Sequence, residues 1–181
     1  QVSVTDINGN PIANTPVSLG ATNGATLVNG ASITTDADGH ALFFVTNTTV
    51  GDSTISANIN GSSKTQVVSF IADLSTSQIT KGDITSTQDA VANGVASDDV
   101  TAKVTDTSGN LVAGATVHFT VSNGAKIVTV IGTTGSNGLA TAKVTSLKAS
   151  TYTVTARIQE SGNSAQTTSR FIADTSTANI V

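Results

Sequence analysis

Val100-Thr101-Ala102-Lys103-Val104-Thr105 alternates apolar and polar residues at every step, the period-two pattern of a strand with one buried and one wet face. Asp106-Thr107-Ser108-Gly109-Asn110 follows directly. It is a turn by composition, since Gly accepts positive φ and Asp and Asn side chains bond nearby backbone. The alternation returns at Val117-Phe119-Val121, Ala140-Ala142-Val144 and Tyr152-Val154-Ala156-Ile158, with turn signals between at Asn123-Gly124, Asn137-Gly138 and Ser161-Gly162-Asn163. No window keeps an apolar stripe at helical spacing, and the abundant Thr and Val, stiff at χ1, disfavour helix. About seven short strands in about ninety residues, split by such turns, predict an all-β, two-sheet sandwich.

Outward from this stretch, the pattern occurs twice. Val104-Thr105-Asp106, Gly109-Asn110, Ala113 and Val117 are repeated from Val4-Thr5-Asp6, Gly9-Asn10, Ala13 and Val17. Asn123-Gly124-Ala125 repeats Asn23-Gly24-Ala25, Thr133-Thr134 and Gly138 repeat Thr34-Thr35 and Gly39, and Phe171-Ile172-Ala173-Asp174 repeats Phe70-Ile71-Ala72-Asp73. A period of about one hundred residues is a domain, not a solenoid unit. Residues Thr80 to Asp99 precede the second copy of the pattern, whereas the first begins at Gln1. The expected organisation is therefore a module over 1–79 lacking its first strand, a complete module over 80–176, and the start of a following module at 177–181. Ser176-Thr177-Ala178-Asn179-Ile180 echoes Ser75-Thr76-Ser77-Gln78-Ile79, so the chain is expected to be a slice of a longer tandem array.

Composition narrows the function. The 181 residues carry a net charge of −4, with Lys+Arg 8 against Asp+Glu 12. No cationic patch is available to neutralise phosphates, which argues against a nucleic-acid partner. The longest apolar stretches, such as Ile127–Ile131, are too short to cross a bilayer, so no direct membrane insertion is expected. Gln1 is not followed by a basic stretch and an apolar run, so no signal peptide is read there. With no Cys there is no disulfide, thiolate zinc site or cysteine nucleophile. Charged residues are only 11%, and Thr, Ser, Asn and Gly supply the wet surface instead.

Several segments match one family in order. Asp89-Ala90-Val91-Ala92-Asn93-Gly94-Val95 leads into Val100-Thr101-Ala102-Lys103-Val104-Thr105-Asp106. Gly109-Asn110-Leu111-Val112-Ala113-Gly114-Ala115-Thr116-Val117, Thr151-Tyr152-Thr153-Val154-Thr155-Ala156 and Phe171-Ile172-Ala173-Asp174 follow. This string resembles the bacterial immunoglobulin-like domains of the invasin and intimin (inverse autotransporter) adhesins, across all of the second module and most of the first. The first module departs from it where Ser53 stands in place of Tyr152. The resemblance implies two tandem immunoglobulin-like β-sandwiches in an elongated arrangement. It also implies an extracellular location at a bacterial cell surface, anchored to the outer membrane through other parts of the parent protein. The implied role is a stalk or spacer that projects a distal receptor-binding tip. The implied partners are neighbouring modules of the same chain and, through distal domains, a host cell-surface or matrix protein. The alternative is a module that itself adheres to host or to other bacteria, or self-associates. Nothing matches the family's disulfide-bearing, lectin-like terminal domains, so no receptor-binding residue carries over.

The candidate sites are few, and each has a plainer reading. Asp36-Ala37-Asp38-Gly39 has the opening of a calcium loop. Its repeat counterpart Gly135-Ser136-Asn137-Gly138 has lost both carboxylates, so both read as turns whose residue before Gly takes positive φ. Asp98-Asp99 reads as a pair of solvated carboxylates. His40 and His118 fall at non-equivalent positions, Glu160 is the only Glu, and no nucleophile elbow is present. No enzyme, cofactor or metal is expected. Asp6 and Asp106 read as caps of their Gly-Asn turns. Tyr152, Phe119 and Phe171 read as core, with the Tyr152 hydroxyl bonded to nearby backbone as in a tyrosine corner. Lys81-Gly82-Asp83 at the module junction is similar to short loops that some integrins recognise. As a three-residue match it reads first as the start of a strand.

A spacer needs stiff joints. The junction Asp73-Leu74-Ser75-Thr76-Ser77-Gln78-Ile79 has neither Pro nor Gly and reads as strand running into strand, with Leu74 and Ile79 sealing against both modules. Each module would then add roughly 35–45 Å, the length of strands of about ten residues plus turns.

Overall fold

Alternating apolar positions build two sheet-on-sheet units in the computed structural model, which describes residues 1–180. The first unit is Gln1–Ile71 and the second begins at Ala72. The only helical elements among the described residues are two 3₁₀ turns, Leu74–Thr76 and Thr175–Thr177.

In the first unit the strands are β1 (Val2–Ser3), β2 (Pro16–Ala21), β3 (Thr26–Leu27), β4 (Ser32–Thr34), β5 (His40–Ala41), β6 (Val45–Thr46), β7 (Gly51–Ile59) and β8 (Ser62–Phe70). Its main sheet has the order β4-β2-β7-β8, while β1-β5 and β3-β6 are two-residue ladders. The core is small, built on Val4, Val17 and Leu19. Phe44 and Val67 stay 59% and 51% exposed.

The second unit has β9 (Ile84–Ser86), β10 (Ala90–Val91), β11 (Ser97–Lys103), β12 (Val117–Val121), β13 (Ala125–Ile131), β14 (Leu139–Ser146), β15 (Thr151–Ile158) and β16 (Ser164–Ile172). One sheet runs β13-β14-β11-β9 and the other β10-β16-β15-β12. All pairings are antiparallel except β10 with β16, where Ala90 lies beside Phe171 in parallel. The chain thus crosses from one sheet to the other between β9 and β10, as expected of an immunoglobulin-like sandwich. Val100, Ala102, Val104, Ala140, Ala142, Val144, Val154, Ala156 and Ile158 are buried between the sheets. Short Ala and Val side chains from facing strands make up much of this core.

The repeat aligns the two units strand by strand. Val2 pairs with Ala41 as Ala102 pairs with Ala140, and Ser3 with His40 as Lys103 with Leu139. The strand β1 is therefore the counterpart of the last residues of β11. The same structural details recur. Thr35 Oγ1 donates to Ile12 O at 2.8 Å and accepts from Thr15 N at 3.0 Å. Thr134 Oγ1 donates to Val112 O at 2.7 Å and accepts from Ala115 N at 3.0 Å. Gly39 and Gly138 sit at φ 73° and 66°, with Val4 N and Val104 N each donating to their carbonyls at 2.8 Å.

Two readings of the sequence are corrected, the first at residues 72–79, whose hydrogen bonds and buried side chains lie in the unit that begins at Ala72. They do not run as strand into strand, since Asp73 caps a 3₁₀ turn over Leu74–Thr76. In the turns at 36–39 and 135–138 only the glycine takes positive φ, and Asp38 and Asn137 do not.

Candidate functional site

The most elaborate polar site in the second unit surrounds Asp106, which is 4% exposed. Its Oδ1 accepts the backbone N–H of Ser108 and of Asn110, both at 2.9 Å, and its Oδ2 accepts Asn110 Nδ2 at 2.9 Å. The expected cap is therefore present. The same carboxylate also receives the backbone N–H of Asp73 at 3.2 Å, which seats the segment that opens the unit. Burial acts to raise the Asp106 pKa, but the bonds from Asn110, Asp73 and Ser108 outweigh it and hold it below the ordinary carboxylate value.

The segment itself is locked along its length. Asp73 Oδ1 accepts Ser75 N at 2.9 Å and Ser75 Oγ at 2.6 Å, and these bonds, the hydroxyl's first, lower its pKa. Gln78 forms a bridge with Thr105, N–H to O in both directions at 2.7 and 3.0 Å. Ile79 N donates to Asn163 Oδ1 at 2.9 Å, and the Ile79 side chain is buried in the main core, against which Leu74 also packs.

Lys81-Gly82-Asp83 forms the turn before β9, with Lys81 and Gly82 exposed. The Asp83 carboxylate is already engaged by Thr80 Oγ1 at 2.5 Å and Lys103 Nζ at 3.2 Å. The Thr80 hydroxyl and then Lys103 lower its pKa against the opposing effect of burial. Asp36 Oδ1 accepts Asp38 N and His40 N at 3.0 and 2.8 Å, so that carboxylate closes its own hairpin. His40 pairs with Ser3 Oγ at 2.9 Å and His118 with Gln159 Oε1 at 3.0 Å. Glu160 accepts Thr116 N at 2.9 Å. Burial would raise the Glu160 pKa, but that bond prevails and lowers it.

Asp98 is a correction. It is 1% exposed rather than solvated, and it accepts Ser169 Oγ at 2.7 Å and Thr87 Oγ1 and Ala90 N at 3.3 Å. The carboxylate thus ties β11 to β16 and to the crossover between the sheets. Its neighbour Asp99 is exposed and paired with Lys143 Nζ at 2.6 Å. Pairing Ser169 with Asp98 joins residues 71 apart, which no local pattern announces.

Tyr152 behaves as read. Its hydroxyl donates to Lys148 O at 2.9 Å and accepts from Ser146 Oγ at 2.9 Å, and its ring meets Phe171 edge-on at 6.0 Å. In the first unit Asn47 Nδ2 donates to Ser53 Oγ at 3.3 Å at the matching place. A shorter pair replaces the tyrosine corner there.

Against this geometry, comparison with known proteins is direct. The bacterial Ig-like domain (group 1) family matches residues 1–71 and 81–172. The inverse autotransporter adhesin YeeJ of Escherichia coli (strain K12) is 36% identical over 180 residues, covering 98% of this chain and 8% of that protein. Among solved structures, Yersinia pseudotuberculosis InvD superposes with a TM-score of 0.63 at 20% identity, over 99% of this chain and 54% of the other. The Escherichia coli adhesin FdeC gives 0.62 at 18% identity, over 91% and 55%. These two likenesses show the fold, and the sequence match carries the kinship. The chain spans a small part of its curated relative and about half of each solved one. It belongs to the bacterial Ig-like domain (group 1) family, as two tandem immunoglobulin-like β-sandwiches related to those of a bacterial adhesin.

Proposed function

We propose that this pair of modules is a spacer segment of a bacterial surface adhesin, which holds a distal receptor-binding part away from the outer membrane. One observation carries the reading: residues 72–79, which follow directly on the first unit, are committed to ordered structure in the second. A capped 3₁₀ turn, the Gln78–Thr105 bridge and the buried Ile79 order this segment within the second unit, and its composition, without Gly or Pro, differs from that of a flexible linker. Kinship with an inverse autotransporter adhesin supports surface display. The polar groups singled out in the sequence support a structural role, since their bonds close turns, tie strands and seat the connector.

Small-angle scattering tests this. Insertion of Gly-Ser-Gly-Ser between Ile71 and Ala72 supplies a flexible reference. The natural chain is expected to give a sharply defined maximum dimension, each module adding roughly 35–45 Å, and the insertion variant a broad one. Indistinguishable profiles would overturn the spacer reading. Beads coated with the chain are expected not to adhere to host cells or matrix proteins. Adhesion abolished by Lys81→Ala with Asp83→Ala would place an adhesive site at the junction instead.

A further inference from the structure

An edge strand carries unpaired N–H and C=O groups, so the edges of a sandwich are where another chain can add to it. The edges of the second unit are β9, β10, β12 and β13. The first two span three and two residues. The strand β12 spans five, and its Val117 N–H is given to Gly132 O at 2.7 Å. The strand β13 spans seven, Ala125-Lys126-Ile127-Val128-Thr129-Val130-Ile131, with Lys126 its only charge and no Pro. Val128 is 66% exposed. In the first unit the counterpart β3 is two residues long and runs into Val28-Asn29-Gly30. Such shortening protects an edge, and the second unit lacks it. The strand lies inside the family match over 81–172, so this edge belongs to the module itself.

The direction of the free groups follows from β14. Val104 N donates to Gly138 O at 2.8 Å and Gly94 N to Ser146 O at 2.9 Å, both donors flanking β11. The even-numbered residues of β14 therefore turn their N–H and C=O groups toward β11, while Lys143 and Thr145 turn theirs toward β13. Val128 pairs with Lys143 and Lys126 with Thr145, so those two residues bond inward. The N–H and C=O groups of Ala125, Ile127 and Thr129 point outward. Among the described residues no backbone group bonds them there. At Val130 a bulge shifts the register, and beyond it Gly132 O is taken by Val117 N. The open ladder is thus regular over 125–129.

This stretch is complementary to itself. An antiparallel copy centred on Ile127 sets Ala125 opposite Thr129, Lys126 opposite Val128 and Ile127 opposite Ile127. Each outward pair then exchanges two bonds. No charge faces a like charge, because Lys126 lies beside Val128, which its aliphatic stem covers. Ile127, partly buried against the core, gains its own copy as a neighbour on the inner face.

We propose that β13 is a self-association edge, through which two copies of this chain pair antiparallel about Ile127. Their sheets join into one, β9-β11-β14-β13 continuing into the same order reversed. The contact is isologous, so it closes at a dimer, and it links modules side by side. This inference goes beyond the spacer reading and does not rest on it. The short ladder sets a weak affinity, with Kd on the order of 0.1–1 mM.

Sedimentation velocity and amide exchange on the whole chain test it. The weight-average mass is expected to rise toward that of a dimer, and no further, as concentration approaches about 1 mM. Exchange there is expected to slow at Ala125, Ile127 and Thr129 relative to the dilute chain. It is expected to stay unchanged at Lys126 and Val128, whose N–H groups already serve β14. Thr129→Pro removes an outward N–H and leaves the β14 ladder intact. Val128→Lys changes an exposed side chain, so it keeps the fold, and it sets a cation beside the partner's Lys126. Both variants are expected to stay monomeric, whereas Val28→Lys, at the short edge of the first unit, is expected to associate like the wild type. A wild type that stays monomeric, association that persists in Val128→Lys, or exchange slowed equally along 125–129 would each overturn the proposal. A monomeric wild type would leave the scattering comparison of the spacer reading unaffected.

Discussion

The backbone N–H of Asp73 donates to Oδ2 of Asp106 at 3.2 Å, so the carboxylate that closes a turn also receives the chain as it enters the second unit. Removing it by Asp106→Ala strips that N–H and the turn donors of a buried, charged acceptor. The expected loss is about 2–3 kcal/mol, confined to the second unit. Asp6→Ala removes only the local turn bonds in the first unit, and a smaller loss is expected. Urea unfolding followed unit by unit by amide NMR checks this. Equal losses would show that the Asp73 contact contributes nothing.

Ile79 and Ile180 occupy equivalent repeat positions in opposite environments, 3% and 103% exposed. Ile79→Ala opens a cavity in the main core and is expected to cost about 2–4 kcal/mol. The same change at Ile180 is expected to leave the unfolding midpoint of the dilute chain unmoved. A stable Ile79→Ala variant would mean that the connector is not part of the core.

The strands of the second unit were legible because alternation in 97–104, 117–121, 139–146 and 151–158 is regular and both faces are decided by burial. The turn caps at Asp6 and Asp106 were legible because their bonds close within four residues. The Tyr152 hydroxyl contact was equally local. What escaped the sequence depends on distant strands meeting. Asp98 reads as solvated until β16 brings Ser169 to it. The 3₁₀ turn at Leu74–Thr76 contains only residues with no helical period, and its stability comes from the Asp73 cap and its seat. The connector's allegiance to the second unit follows from Thr105 and Asn163, neither of them near it in the sequence.

Tyr152→Phe removes the hydroxyl that joins Lys148 O to Ser146 Oγ. Ser146 is 4% exposed, and it keeps bonds to Lys148 and Gly124. The expected cost is therefore about 1–2 kcal/mol, with the edge contact to Phe171 kept. Double-mutant analysis with Ser146→Ala is expected to show coupling between the two hydroxyls. Additive losses would argue against a shared network.

Gly138 combines φ 66° with a position where an added Cβ would lie 2.8 Å from Val104 O, and Gly39 combines φ 73° with 2.6 Å from Val4 O. Alanine at either place meets both an unfavourable backbone region and a main-chain atom that is itself bonded. A loss of about 2–4 kcal/mol is expected at each, against about 1 kcal/mol for Gly109→Ala, where φ is also positive but no atom lies within 4 Å, so that the difference isolates the clash. Thermal unfolding of the three variants provides the test. Equal effects at Gly138 and Gly109 would assign the cost to φ alone.

Acid should weaken the second unit through its hydrogen-bonded carboxylates. Asp83, Asp106 and Glu160 all have pKa values lowered in the folded chain, so on acidification the unfolded chain takes up protons first. Their contribution is therefore complete above the ordinary values of 3.8 for Asp and 4.5 for Glu, and it is lost as pH falls through the folded values. The urea midpoint is expected to stay flat from about pH 7 to about pH 5 and to fall below about pH 4. Asp106→Asn lowers the neutral-pH plateau and flattens the decline, since it removes one group whose protonation favours unfolding. A midpoint that rose on acidification would mean that these carboxylates repel one another more than their donors stabilise them.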